Sequence, residues 1–525
     1  MSKSFYITTT LPYVNAKPHI GFALEVVFAD VLVRYHKMLG DEVFFNTGTD
    51  EHGLKIYEKA VEGGVEPKSY VDEYASKFGA LVPRLGISED IHFIRTTDGH
   101  HKAAAQEFWK RCAMNGDIYK KIYKIKYCVG CELEKTDSDL VDGFCPLHPG
   151  RELELIEEEN YFFKFEKYQK ELLALYDRPG HEFVVPKTRL HEIREFVSAG
   201  LKDFSISRLA SKMSWGIPVP GDDSQVMYVW FDALINYIST LGWGGEESRI
   251  IHRRQGYGGQ ANQGSGSNSN LLTSHISSLT SDFINFWGTS ENPNGVQIAG
   301  KDNLRQQSAM WQAMLMSAGL PSSKQILIHG FITSGGQKMS KSVGNVVDPF
   351  DIIDSLIEKG VEEAQAIDAL RYWFAREMST FEDGDFTWEK FKDSYNANLA
   401  NGLGNLVSRV LKMAANAGIA DCRLQIADFN AEYKTHLENY EIQKAADWVW
   451  GKIKALDEYI AKEEPFKKIK VDVEAGKKDM AYLLTQLELI AYHLQPLLPD
   501  TASKIQVALE HISTKNIPRL FPRID

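Results

Sequence analysis

Residues 4–45 read SFYITTTLPYVNAKPHIGFALEVVFADVLVRYHKMLGDEVFF, and this stretch decides the fold. Residues 4–10 alternate and are β-prone, whereas residues 11–18 contain two prolines and an asparagine, a composition typical of loops. Over residues 20–39 the apolar side chains recur on one helical face, and an apolar strand follows at 43–45. This order forms a βαβ unit, which predicts an α/β fold with a parallel, doubly wound sheet. We expect a ligand at the carboxyl ends of the strands, beside the junction of loop and helix.

The rest of the chain divides by pattern. The α/β rhythm stops in a segment that holds a cysteine cluster and an acidic run, and it returns at residues 227–231 and 295–299. From about residue 391 the apolar spacing is helical, which predicts a C-terminal α-helical bundle. The predicted parts are the two halves of the sheet domain (1–116 and 227–332), an insertion (117–226), a lysine loop with the region after it (333–390) and the bundle (391–525).

The second half of the sheet domain contains a low-complexity segment, 253–281. Within it, residues 255–270 contain only Tyr257 and Ala261 besides Gly, Gln, Asn and Ser. Such a composition buries too little apolar surface to order a chain, so we expect a surface loop without regular structure. The alternative is a loop that contacts RNA through Arg253 and Arg254.

Composition narrows the class of protein. The chain has 525 residues, 43% of them hydrophobic and 25% charged, which is ordinary for a globular protein of two to four domains. It lacks an apolar run long enough for a membrane helix and an apolar segment typical of a signal peptide, so we expect a cytoplasmic protein with no membrane partner. The net charge of −12 argues against nonspecific coating of nucleic acid but leaves room for local basic strips.

Two motifs suit a polyphosphate ligand. Pro18-His19-Ile20-Gly21 puts an imidazole at the start of the first helix, where backbone N–H groups favour anions. Lys338-Met339-Ser340-Lys341-Ser342 follows two glycines, which we expect to give the lysines the mobility of a closing loop. Taken alone, His19 could merely cap the helix and the lysines could be solvated surface charges. Taken together, the motifs favour a site in which cations and hydrogen-bond donors surround a polyphosphate.

Three of the five cysteines predict a metal centre. Cys128-x-x-Cys131, thirteen further residues and Cys145-x-x-His148 form two short knuckles with four ligands. Such a Cys₃His set is typical of a structural zinc ion, with no position left open for catalysis. The alternative is three unpaired surface thiols. Cys112 and Cys422 stand alone and are expected to be buried or inert.

The motifs carry a family resemblance. His19 and the lysine loop resemble the "HIGH" and "KMSKS" signatures of class I aminoacyl-tRNA synthetases. Three further stretches, TLPYVN from residue 10, TGTDEHG from residue 47 and YVWFDA from residue 228, with Gly300-Lys301-Asp302, resemble methionyl-tRNA synthetases in particular. The resemblance covers roughly residues 4–500. It implies a Rossmann-like sheet domain, a zinc-knuckle insertion that helps to present the tRNA acceptor end, a region at 333–390 that contacts the tRNA stem, and an anticodon-binding bundle.

The resemblance also implies roles for individual residues. The expected catalytic residues are His19, Lys338 and Lys341. The expected ATP-binding residues are Pro18, His19, Gly21, Gly300, Asp302, Lys338 and Lys341. The expected methionine-binding residues are Leu11, Tyr13, Asp50, Trp230, Leu234, Tyr237 and Gln307. Two positions depart from the family pattern: Phe22 replaces the second histidine of the HIGH motif, and Gln307 stands where some members have a pocket histidine.

The bundle supplies the expected contacts to the anticodon. Asn405 and Arg409 lie one helical turn apart, and Phe466 offers a face on which an unpaired base can stack. Taken alone, Asn405 and Arg409 could form a solvated polar stripe. Two local basic strips complete the expected surface for RNA: Lys467 with Lys468, and Lys120, Lys121, Lys124 and Lys126.

The resulting hypothesis is ligation of methionine to tRNA(Met) through a methionyl-adenylate. The expected partners are tRNA(Met), ATP and L-methionine, Mg²⁺ should accompany ATP, and a monomer is expected. The alternatives are a class I synthetase for another amino acid and a zinc-dependent RNA-binding protein without catalysis. The insertion at 117–226 is too short for the editing insertion typical of the enzymes for branched substrates.

Overall fold

A computed structural model describes residues 3–131, 133–135, 139–244, 281–339, 344–419, 428–513, 515 and 517–525. Most of the segment predicted to be a low-complexity loop lies outside these residues, as do Lys341 and Cys422.

A parallel sheet of six strands forms the centre of the molecule. In chain order, the strands of the described residues are β1 (Ser4–Thr8), β2 (Glu42–Thr49), β3 (Ile91–Arg95), β4 (Ile118–Cys128), β5 (Leu133–Lys135), β6 (Glu154–Phe163), β7 (Val184–Val185), β8 (Phe204–Ser205), β9 (Ser207–Leu209), β10 (Pro218–Val219), β11 (Asp222–Met227), β12 (Gly295–Gly300), β13 (Gln325–His329), β14 (Ile332–Ser334), β15 (Gln337–Lys338) and β16 (Gly384–Phe386). The order of strands in the central sheet is β3-β2-β1-β12-β13-β7. Strand order reverses between β1 and β12, so the loop after β1 lies where doubly wound sheets bind ligands.

The opening βαβ unit is confirmed. β1 is followed by the helix Ile20–Met38 and then by β2, which pairs in parallel with β1. Gly40 follows the helix with φ of 81°, a left-handed conformation that glycine adopts without strain. Fourteen of the nineteen helix residues are buried, because helix Ile20–Met38 contacts the strands of the central sheet and also the segment Trp373–Glu377.

Both faces of the central sheet are covered. Alternate residues of one strand join different cores: Ile7 belongs to a core shared with helix Ile20–Met38 and the C-terminal helices, whereas Tyr6 belongs to a core around Phe108 and Trp311. This is the layering expected of a parallel sheet, and it confirms the predicted α/β class.

Helices connect and surround the strands. They are Ile20–Met38, Leu54–Glu62, Pro67–Gly79, Leu81–Arg84, Gly99–Met114, Gln169–Tyr176, Lys187–Ser198, Val229–Ala233, Asn236–Ser239, Trp311–Ser317, Pro349–Glu358, Glu363–Tyr372, Trp388–Ser394, Asn405–Asn416, Ala431–Glu438, Ile442–Glu463, Pro465–Val471, Val473–Leu494 and Pro499–Glu510. The chain is π-helical at Phe283–Trp287, Gln306–Met310, Trp373–Glu377 and Tyr395–Gly404. Within the described part of the chain, no helix combines the length and apolar character needed to cross a membrane.

The segment predicted as an insertion builds a four-stranded sheet in the order β5-β4-β6-β8. The chain reaches the central sheet again at Val184–Val185, before residue 226, through a parallel pairing with β13. At residues 227–231, where the α/β pattern was expected to return, Met227 ends β11 and Val229–Ala233 is a helix. The domain boundaries stay predictions.

The C-terminal region is helical, as predicted. Trp388–Ser394, Tyr395–Gly404 and Asn405–Asn416 run on without a break. A buried cation joins the bundle to the sheet domain: Arg371 pairs with Asp30 at 2.7 Å (Nη2 to Oδ2), and both side chains are fully buried. Arg371 also donates to the backbone oxygens of Leu85, Pro496 and Leu497.

Candidate active site and metal centre

A cavity of about 580 Å³ opens at the carboxyl ends of β1 and β12. Its lining brings together residues that lie more than three hundred positions apart, including His19 and Lys338. The predicted site residues that line it are Leu11, Tyr13, His19, Gly21, Asp50, Trp230, Leu234, Tyr237, Gly300, Asp302, Gln307 and Lys338. Pro18 is buried and is not part of the lining.

His19 stands at the amino end of helix Ile20–Met38. Its backbone is extended, and its Nδ1 accepts a hydrogen bond from the Gly21 N–H at 3.1 Å. A Cβ on Gly21 would lie 3.0 Å from His19 Cε1, so the glycine leaves room for the imidazole ring. The exposed ring and the helix end therefore offer hydrogen-bond donors and partial positive charge to the same part of the cavity.

Lys338 reaches the cavity from a hairpin. β14 and β15 pair in antiparallel fashion around Gly335 and Gly336, whose φ angles are 61° and 76°. Positive φ at both turn positions is typical of a tight type I′ turn, so the two glycines shape the hairpin. The Gly336 N–H also donates to Asp385 Oδ1 at 2.6 Å. The Lys338 side chain is exposed, and its ammonium nitrogen lies 5.3 Å from the centre of the Phe331 ring.

Asp50 is fixed by its backbone. Its N–H donates to Pro12 O at 3.0 Å, and its own carbonyl accepts from the Val14 N–H at 3.1 Å. These bonds tie the loop after β1 to the residue after β2. The Asp50 side chain is 7% exposed, so its carboxylate is largely shielded from water within the cavity wall.

The helix Val229–Ala233 carries part of the apolar wall, and its position rests on a buried carboxylate. Asp232 accepts hydrogen bonds from His52 Nδ1 at 2.6 Å and from His101 Nε2 at 2.8 Å. Burial opposes ionisation of Asp232, but the charge of His52 and hydrogen bonds from both histidines outweigh it and lower the pKa of Asp232. The same three residues thus connect the Asp50 loop to the helix of Trp230.

Sequence reasoning missed a second buried pair at the cavity. Glu25 Oε1 accepts from both the backbone N–H and the hydroxyl of Thr10, and Oε2 accepts from His329 Nε2 at 2.9 Å. Burial lowers the pKa of His329, but the hydrogen bond and charge of Glu25 outweigh it, so that pKa is raised. Glu25 lies one helical turn after Gly21, on the same face of the helix. This spacing was the sequence signal that could have placed Glu25 at the cavity. His329 ends β13, next to β12 in the sheet.

The two departures from the family pattern both line the cavity. Phe22 packs edge-on against Phe78 with ring centres 5.4 Å apart, which gives this part of the wall an apolar surface. The Gln307 amide donates to the Tyr237 hydroxyl at 2.7 Å.

The four predicted metal ligands converge. The ligand atoms of Cys128, Cys131, Cys145 and His148 all lie within 4.8 Å of one another. The Sγ atoms of Cys131 and Cys145 are 3.8 Å apart, and His148 Nδ1 lies 3.7 Å from Cys128 Sγ. A tetrahedral zinc ion with bonds of about 2.3 Å to sulfur separates its sulfur ligands by about 3.8 Å, so the set fits a structural zinc ion. Burial, with Lys55 and Arg151 nearby, lowers the pKa of His148, which favours the neutral ring that binds metal.

The knuckle adjoins the cavity. Gly130 and Cys131 belong to the cavity lining, and the Lys55 ammonium donates to Gly130 O at 3.0 Å. The metal centre therefore shapes one wall of the candidate active site.

The expected anticodon residues lie on the bundle. Asn405 is exposed at the start of helix Asn405–Asn416, and Phe466 is 42% exposed. Arg409 Nη1 pairs with Asp457 Oδ1 at 2.9 Å. Burial raises the pKa of Asp457, and the charge of Arg409 opposes that rise.

Comparison with known proteins agrees with this architecture. Residues 5–152 and 149–411 match the model of tRNA synthetases class I (M), and residues 415–520 match the anticodon binding domain of methionyl tRNA ligase. The chain is 38% identical over 522 residues to the methionine–tRNA ligase of Thermosynechococcus vestitus, covering 96% of this chain and 90% of that protein. It is 37% identical over 519 residues to that of Synechocystis sp., covering 96% and 88%.

A solved structure is also similar. Mycobacterium tuberculosis methionyl-tRNA synthetase in complex with methionyl-adenylate superposes with a TM-score of 0.81 at 30% identity, covering 99% of this chain and 97% of that one. Because the class I model spans most of the chain and these relatives cover nearly all of it, the chain belongs to the methionyl-tRNA synthetases.

Proposed function

We propose that this chain ligates methionine to tRNA(Met) at the expense of ATP, through a methionyl-adenylate. The observation that carries the proposal is the single cavity at which His19, Lys338 and Asp50 meet an apolar wall. Membership of the family supports the same reaction.

The first step activates the amino acid. A methionine carboxylate oxygen attacks the α-phosphorus of ATP, the bond to the β-phosphate oxygen breaks, and pyrophosphate leaves. His19, Lys338 and the amino end of helix Ile20–Met38 stabilise the negative charge that develops on the phosphates. We assign the same role to Lys341, which lies outside the described residues. We assign Gly300, the last residue of β12, and Asp302, in the turn that follows it, to the ribose of ATP, and we assign Mg²⁺ to the phosphates.

Two features of the cavity suit methionine. The shielded carboxylate of Asp50 pairs with the α-ammonium group. The side chain is apolar and polarizable, and sulfur makes favourable contacts with aromatic rings. The residues proposed to surround it are Leu11, Tyr13, Trp230, Leu234 and Tyr237, with Gln307 behind them.

In the second step a hydroxyl of the terminal ribose of tRNA attacks the carbonyl carbon of methionyl-adenylate, the bond from that carbon to the phosphate oxygen breaks, and AMP leaves. We assign the zinc knuckle to the acceptor end, because Gly130 and Cys131 already line the cavity. We assign Asn405, Arg409 and Phe466 to the anticodon. Arg409 must give up its ion pair with Asp457 in order to contact RNA. Its contribution to the free energy of tRNA binding is therefore the energy of the RNA contact minus the energy of the lost ion pair. The monomeric state and cytoplasmic location expected from the sequence stay predictions.

The test is an ATP–pyrophosphate exchange assay with each of the twenty amino acids, with zinc measured on the same sample. We expect exchange with methionine and about one zinc ion per chain. Lys338→Ala should lose exchange, whereas Lys462→Ala, the same change at an exposed lysine of the bundle, should keep it. Exchange with another amino acid, or with none, would overturn the proposal.

A further inference from the structure

The turn of the hairpin that carries Lys338 is held by a carboxylate from a neighbouring strand. β14 lies in the middle of a three-stranded sheet, between β15 and β16. Among the described residues, a Cβ added to Gly335 or Gly336 would meet nothing within 4 Å, so packing does not fix the turn. The turn is instead tied to β16, because the Gly336 N–H donates to Asp385 Oδ1 at 2.6 Å.

Asp385 contacts the hairpin at a second point. The same Oδ1 atom accepts from the Thr333 hydroxyl of β14 at 2.9 Å. That hydroxyl also lies 3.1 Å from Gly384 O, and its single proton favours the charged and nearer acceptor. Thr333 is the residue of β14 that pairs with Lys338 on one side and with Asp385 on the other. One carboxylate therefore holds both the strand opposite Lys338 and the turn before it.

The charge of Asp385 is balanced on its other side. Its Oδ2 atom accepts from the Lys390 ammonium at 2.9 Å, in helix Trp388–Ser394. The hydrogen bonds from Lys390 and from the Gly336 N–H lower the pKa of Asp385, so the carboxylate is ionised near neutral pH. Hydrogen bonds to an ionised acceptor are about twice as strong as those between neutral groups. Because Lys390 offsets the negative charge, Asp385 can hold the hairpin without repelling an anion from it.

The hairpin determines where the Lys338 ammonium can reach. Lys338 lines the cavity, whereas Asp385 and Thr333 are not part of the lining. The Lys338 side chain is exposed, so its neighbours do not pack it into one position and its backbone sets its range. Misplacing a catalytic group by about 1 Å can lower a rate by about a hundredfold. A residue that fixes this backbone can therefore control the reaction from outside the cavity.

We propose that Asp385 is a positioning residue for the activation step: its carboxylate holds the turn at Gly336 so that Lys338 faces the phosphates of ATP. The inference rests on the proposed function, which assigns Lys338 to those phosphates. Since Asp385 lies outside the cavity, it acts on the reaction only through the hairpin. Its removal should slow the reaction of ATP and leave the binding of methionine unchanged.

The experiment measures the rate constant of methionyl-adenylate formation by the full chain, without tRNA and with the enzyme as limiting reagent. Asp385→Ala should lower this rate constant about 10- to 100-fold, the range for the loss of a hydrogen bond to a charged group. Asp385→Asn keeps an oxygen that can accept from the Gly336 N–H, so it should recover most of the rate constant. Glu389→Ala, which removes an exposed carboxylate beside Lys390, should behave as the wild type does.

A double variant separates positioning from a general loss of structure. In Lys338→Ala, the group that Asp385 positions is already gone, so adding Asp385→Ala should lower the rate constant far less than it does in the wild type. The Asp385 side chain is 24% exposed, so its removal leaves no enclosed cavity. Any unfolded fraction lowers the amplitude of the reaction and not its rate constant. Methionine affinity, measured by equilibrium dialysis, should equal that of the wild type in Asp385→Ala.

Three results would overturn the inference and leave the proposed function intact. They are a wild-type rate constant in Asp385→Ala, a loss explained by weaker methionine binding, and an equal loss from Asp385→Ala with and without Lys338. A wild-type protein that forms no adenylate with methionine would instead overturn the proposed function.

Discussion

The glycine between the first two zinc ligands is the most sharply constrained position of the metal centre. A Cβ on Gly130 would lie 2.5 Å from both Cγ and Cδ2 of the His148 ring. The φ angle of Gly130 is not positive, so alanine suits the backbone and only the contact with the ring is altered. His148 cannot move away without giving up its place as a metal ligand, because its Nδ1 already lies 3.7 Å from Cys128 Sγ.

Gly130→Ala should therefore weaken zinc binding. Overpacking of this kind typically costs about 1–3 kcal/mol, which corresponds to an affinity lower by about 5- to 150-fold. The assay is competition for zinc with a chromophoric chelator. Since Gly130 also lines the cavity, methionine-dependent exchange should fall in the same variant.

Gly451→Ala provides the matched control. Gly451 lies in helix Ile442–Glu463, and its added Cβ would meet nothing within 4 Å. This variant should bind zinc and exchange pyrophosphate as the wild type does. Wild-type zinc affinity in Gly130→Ala would refute the proposed packing of His148 over the first knuckle.

The remaining predictions concern other parts of the molecule. Lys341→Ala should abolish adenylate formation while tRNA binding, measured by filter retention, persists; unchanged exchange rates would refute its role. Arg409→Ala should reduce tRNA charging far more than exchange, and equal losses would count against an anticodon contact. Arg371→Met leaves a buried carboxylate without its cation and should lower the free energy of unfolding by about 3–5 kcal/mol in a denaturant titration; a loss below 1 kcal/mol would be inconsistent with the buried pair. Because the pKa of His329 is raised in the folded protein, its ion pair with Glu25 contributes fully to the free energy of unfolding below about pH 6.5. The difference in this free energy between wild type and Glu25→Gln should therefore shrink as the pH rises through the raised pKa. A difference that grows with pH would contradict this prediction.

The sequence alone predicted the parts of the site that are local in the chain. His19 was identifiable because it immediately precedes a predicted helix, after the loop that follows the first predicted strand. The four metal ligands were identifiable because each knuckle needs only two ligands three residues apart. In both cases the chemistry is set by neighbours in the sequence, which periodicity and spacing detect.

The parts that depend on long-range packing were not predicted. The pair of Glu25 and His329 joins residues about three hundred positions apart, and the Asp232 network joins three separate segments. Residues 227–231 read as a return of the α/β pattern, yet Val229–Ala233 is a short helix held by Asp232. Tertiary contacts decide each of these features, and a single sequence does not show them.

The central claim is that His19 and Lys338, brought together by the fold, act on one ATP molecule. Single-turnover formation of methionyl-adenylate by His19→Ala and by Lys338→Ala tests it most directly, with methionine binding measured on the same variants. We predict that each variant loses roughly 10²–10³ in the rate constant while its affinity for methionine stays close to that of the wild type. A wild-type rate constant in either variant, or losses explained entirely by weaker methionine binding, would contradict the claim.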